Sequence, residues 1–74
     1  MRIQERVEAR PEIMFGKPVI RGTRVTIEQI LRELGEGATP EEVIGAHPHL
    51  SLEDVRAAQA FAADYLAGEE TISG

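Results

Sequence analysis

The sequence predicts a mainly α-helical fold: three helices ending in a helix-turn-helix, preceded by an extended N-terminal arm with short β-strands. Three observations carry this. From Thr26 onward the apolar residues recur at helical period, and capping residues divide that stretch into three pieces. Before Thr26 prolines and glycines interrupt every periodic run. At 74 residues the chain is long enough for one domain. The expected organisation is an arm over 1–25, a bundle over 26–68 within the same domain, and a flexible polar tail over 69–74.

In the arm, Ile3 and Val7 fall on one side of an expected strand, with Arg2, Gln4 and Arg6 on the other. Arg10-Pro11-Glu12 breaks it. Pro18-Val19-Ile20 and Arg24-Val25 read as two extended pieces around Arg21-Gly22-Thr23, where Gly22 would permit a turn residue of positive φ. Nothing before Thr26 reads as helical.

The first helix is expected over about 27–35. Ile27, Ile30, Leu31 and Leu34 form its stripe, Thr26 caps it with Gln29 as a capping-box partner, and Gly35 and Gly37 end it. The second, about 40–46, has Thr39 as N-cap, Pro40 at its first position and Glu42 closing the box; Pro48 stops it. Ser51 caps the third, whose first turn holds Glu53 and Asp54 and which Gly68 is expected to end. Its expected inner face is Leu52, Val55, Ala58, Ala62, Tyr65 and Leu66, with Phe61 on the flank. The opposite face carries Ala57, Ala60, Ala63 and Ala67. Those alanines read either as plain helix formers or as a smooth face for another chain.

Composition bounds the function. There is no cysteine, hence no disulfide, no thiolate metal site and no cysteine nucleophile. No apolar run approaches a membrane span, and no signal-like core follows Met1-Arg2, so a cytoplasmic domain is expected. The net charge of −5 is uneven. Residues 1–25 hold six cations against three acids, whereas 26–74 hold two against ten. Such polarity suits self-association or a mixed-charge partner, and a small core gains from dimerisation. A homodimer is therefore expected.

Candidates for chemistry are few. As a groove-reading helix, the third would offer Glu53, Arg56, Gln59 and Asp64, one cation against those two acids and Asp54, so Arg56 is a minor candidate for nucleic-acid contact. His47 and His49 flank Pro48 without an evident third ligand and read as solvated turn residues; no metal or cofactor is expected. Thr23, Thr26 and Ser51 have no base placed by sequence to activate them, Glu41-Glu42 is a helix first turn, and no enzyme is expected. The stretch GKPVIRGTRVT, residues 16–26, is different. Lys17, Arg21 and Arg24, with Gly22 and Thr23, form either a stiff corner with solvated cations or a surface for phosphates or a partner's carboxylates.

That stretch, followed by IEQIL, ATPEEVI and HPHLSLEDVRAAQAFA, resembles the family called domain of unknown function 433, over about residues 7–66. Gly16, Lys17, Pro18, Ile20, Gly22, Thr23, Arg24 and Val25 carry its most specific run. Pro48, Leu50, Ser51, Asp54 and Val55 carry a second. Phe15 stands where the family pattern has glycine, and Phe61 where it has tyrosine. The resemblance implies a homeodomain-like helical domain of bacterial or archaeal source. It further implies a non-enzymatic, antitoxin-like regulator that binds a PIN-like nuclease toxin and operator DNA. The alternative is a homodimeric interaction module that never meets nucleic acid.

Overall fold

The computed structural model describes residues 5–73, with side chains through residue 68. Its elements are β1 (Val7–Glu8), a 3-10 turn (Met14–Gly16), β2 (Val19–Ile20), α1 (Ile27–Gly35), α2 (Pro40–Ala46) and α3 (Leu52–Ser73). The mainly helical architecture with a strand-bearing arm is the one expected. The Ile3 half of the expected first strand lies outside the described residues.

Helix ends are set by local capping chemistry. The Thr26 hydroxyl accepts from the Gln29 amide at 3.0 Å, but the Gln29 side chain donates to Glu33 at 2.6 Å, so the expected box is half made. An antiparallel bridge between Val19 and Thr26, with Ile27 N donating to Pro18 O, holds this end to the arm instead. At the other end Ala38 N donates to Glu33 O and Gly37 N to Leu34 O, a Schellman closure, with Gly37 at φ +108°. Thr39 and Glu42 form the full capping box of α2. Ser51 and Asp54 make a reciprocal cap on α3: the Asp54 amide donates to Ser51 Oγ and the Ser51 amide to Asp54 Oδ2.

β1 and β2 pair antiparallel, with Val7 opposite Ile20 and Glu8 opposite Val19. Val7 and Ile20 join Ile27, Ile30, Val43, Leu50, Val55 and Ala58 in one buried cluster. The arm is thus part of the core and not an appendage. Arg6 locks it down, donating from its two terminal nitrogens to Asp54 and Glu53, each at 3.0 Å. Asp54 is itself buried.

Three expectations need correction. First, a short helical turn does occur before Thr26, and it is strained: Met14, Phe15 and Gly16 have φ of +49°, +60° and +84°. Second, α3 runs through Gly68 to Ser73. A glycine stops a helix by turning left-handed, and Gly68 is not among the positive-φ residues. Third, the inner face of α3 is rotated from the expected stripe. Ala57 is buried while Leu52, Tyr65 and Leu66 are exposed. The cause is that α3 packs against β1 as well as α1 and α2, so the arm covers a side the helical period alone assigns to solvent.

Candidate functional site

The stretch GKPVIRGTRVT folds into a tight hairpin that leads directly into α1. Ile20 N donates to Val25 O at 3.0 Å, and Thr23 N donates to Ile20 O at 2.9 Å. Gly22 stands at the third position of that turn with φ +82°, the sign a type II turn requires there. The Thr23 hydroxyl staples the corner, donating to Ile20 O at 2.8 Å and accepting from Val25 N at 3.0 Å. Gly22 and Thr23 therefore have a structural explanation of their own.

The corner faces the α2–α3 turn across an open groove of about 810 Å³. Arg21, Gly22, Thr23, Arg24 and Val25 form one wall with Glu8 and Ile13; Ala46, His47, Pro48 and His49 form the other. Four of the five candidate residues thus share one concavity with two histidines. Lys17 does not: its ammonium reaches Glu28 on α1 at 3.0 Å. Arg56 lines a separate, small concavity with Arg6, Glu53, Ala57 and Ala60.

Much of the corner's positive charge is met from within. Glu8, with its side chain 12 % exposed, sits 3.4 Å from Arg10 and 3.6 Å from Arg21, and its Oε2 accepts from the Gly22 amide at 3.3 Å. Arg21 Nε also donates to the Glu5 carbonyl at 2.6 Å. Glu28 lies between Lys17 and Arg32, and their hydrogen bonds hold its carboxyl below the usual range, Lys17 contributing most. Arg24, exposed, makes no hydrogen bond or ion pair among the described residues. It is the corner cation free to meet a partner.

His47 departs from the solvated turn residue expected. Its ring is only 24 % exposed, and Nε2 lies 2.9 Å from Glu33 Oε2 on α1. That contact, after the Gln29 hydrogen bond, lowers the Glu33 carboxyl from its ordinary value of 4.5. Fourteen residues separate the pair, a spacing with no periodic signal. His49 is exposed, as expected. Among the described residues no group of three or more histidines and carboxylates is arranged to hold a metal ion.

A family model described as protein of unknown function (DUF433) matches residues 7–62, from the start of β1 to the last turn of α3 that touches the core. The chain belongs to this family. A curated DUF433-like relative, the uncharacterized protein y4eO of Sinorhizobium fredii, is 35 % identical over 72 residues; the match covers 96 % of this chain. The chain spans 33 % of that relative's length. The crystal structure of a DUF433 member from Anabaena variabilis superposes with a TM-score of 0.80 at 24 % identity, over 96 % of this chain and 71 % of that one. That likeness establishes the shared fold. A glycine, which the resemblance leads one to expect at position 15, would suit the left-handed backbone that Phe15 occupies. Among the described residues, no helix of this DUF433 domain is long and apolar enough to cross a membrane.

Proposed function

We propose that this DUF433 domain is a non-enzymatic, antitoxin-like regulator: a cytoplasmic homodimer that neutralises a nuclease-type toxin and contacts operator DNA through the arm corner. The observation that carries the protein-binding part is the length of α3. Among the described side chains Phe61 is the last of α3 packed against the core, yet the helix continues to Ser73, about 18 Å further. On that extension Tyr65 and Leu66 are 51 % and 59 % exposed, beside Asp64. The sequence goes on with Glu69 and Glu70. Apolar side chains among acids suit a partner surface that is apolar at its centre and basic at its rim.

Co-expression with the product of the adjacent gene tests this. A complex that co-purifies through size exclusion, and that Tyr65→Ala with Leu66→Ala dissociates, supports the reading. A domain that elutes alone at every ratio defeats the toxin partner.

A second reading, the homodimeric module without nucleic acid, is favoured by the internal pairing of the corner. With Lys17 on Glu28 and Arg21 on Glu8, Arg24 remains the corner cation without a partner among the described residues. Titration with the protein's own upstream DNA separates the readings. If DNA is bound through the corner, Arg24→Ala lowers the log–log salt slope by about one unit. Arg56→Ala then does less, because α3 sets that cation among acids. An absence of binding at low salt leaves the protein-only module.

A further inference from the structure

Phe15 combines two costs that folding alone does not explain. Its side chain is 95 % exposed, and its backbone sits at φ +60°, ψ +30°, next to Met14 at φ +49°. Left-handed backbone is unfavourable for a residue with a Cβ, and an exposed ring gains nothing from this chain's own core. Strain that the surrounding structure maintains is commonly stored where a surface is used. The turn is held by Ile13 N donating to Arg10 O and Gly16 N to Ile13 O, each at 3.0 Å, and by Lys17 N donating to Met14 O at 3.1 Å. The ring is therefore presented on a fixed support.

The groove described above begins two residues away. Ile13, Val25, Ala46 and Pro48 give it apolar lining, with Arg24 and His49 beside them. Two residues of chain span at most about 7 Å, so the protruding aromatic stands close to the rim of the open groove. Adjacent knob and hole are what a two-fold axis needs, because each copy then offers both halves of the contact. Charge agrees: exposed Glu12 adjoins the knob, and Arg24, unpaired among the described residues, lines the hole.

We propose that Phe15 is the anchor of an isologous homodimer, its ring inserted into the groove between the arm corner and the α2–α3 turn of a second copy. This deepens the homodimer of the preceding section and rests on it. The interface then lies on the arm and takes up Arg24 against Glu12 of the second copy, which favours the reading without nucleic acid and leaves the end of α3 to the toxin.

Sedimentation equilibrium of the full chain, over the micromolar range, tests this with four variants. Phe15→Gly and Phe15→Asn remove the ring while suiting left-handed backbone, and Ala46→Arg fills the groove from an exposed helix end. Each is expected to weaken dimerisation at least about tenfold, the scale of a buried aromatic anchor. Tyr65→Ala is expected to leave it unchanged. Phe15→Gly is also expected to raise the melting temperature of the monomer, which shows that lost association is not lost folding. If Phe15→Gly dimerises like the wild type while Tyr65→Ala dissociates, the homodimer stands and this interface falls. A wild type that stays monomeric throughout overturns both. A Phe15→Gly protein that dimerises normally but no longer binds toxin or DNA also overturns the proposal.

Discussion

Two turns of the same arm solve the same backbone problem in opposite ways. At Gly22 the chain needs φ of +82°, and glycine supplies it without a steric cost. At Phe15 it needs +60°, and a bulky residue supplies it under strain. The surroundings differ as well. The Gly22 turn is stitched by the Thr23 hydroxyl and leads into the buried Thr26 and Ile27, whereas the Phe15 turn points its ring at solvent. The first turn serves the fold. The second holds a side chain out from it, against the interest of stability.

The largest effect is expected where the arm that carries both turns is fastened. Asp54→Ala leaves Arg6 with only exposed Glu53 and strips the Ser51 amide of its acceptor. Lost capping and a broken buried contact should together cost about 2–3 kcal/mol. Urea denaturation showing less than about 0.5 kcal/mol, the range of an ordinary surface substitution, would mean the arm docks without Asp54. Next comes Gly22→Val. Open space surrounds a Cβ built there, so the cost is conformational and should be about 1–2 kcal/mol. An unchanged melting curve would contradict the assignment of that turn.

These same positions divide what is legible in the sequence from what is not. The bounds of α1 and α2 follow from Thr26, Gly37, Thr39, Pro40 and Glu42, each acting within its own turn of chain. Gly22 is legible for the same reason, because a glycine announces the geometry it allows. Phe15 announces nothing. Only its place where the resemblance leads one to expect glycine marks it, and the backbone angle supplies the meaning. The groove is illegible because distant contacts position its walls: Arg6 with Asp54 fastens the arm and His47 with Glu33 the α2–α3 turn, 48 and 14 residues apart. The covered side of α3 is hidden likewise, since it is the arm, and not the helical period, that buries Ala57.

A smaller, pH-dependent effect should distinguish two ties of α1, that of Glu28 to Lys17 in the arm and that of Glu33 to His47. Glu28 and Glu33 both have carboxyls lowered in the folded state. A lowered folded value contributes stability above the unfolded value, and that contribution is lost as pH falls through the folded one. Stability should therefore decline as pH drops below about 4.5, the ordinary value for both groups. Glu33→Gln should flatten that decline more than Glu28→Gln, because Glu28 is half exposed and its pairs are screened by solvent. Equal slopes in acid titrations followed by circular dichroism would count against the ties of Glu33 to Gln29 and His47.

The contrast between the turns is tested most directly by denaturing Gly22→Ala and Phe15→Gly in parallel, at a concentration where every protein is monomeric. Gly22→Ala should lose about 1 kcal/mol, and Phe15→Gly should gain about 0.5–1 kcal/mol after the added chain entropy of glycine is subtracted. Opposite signs would establish that one turn is shaped for the fold and the other strained against it. A loss of stability in both would contradict the account, because it would make Phe15 a residue the fold needs.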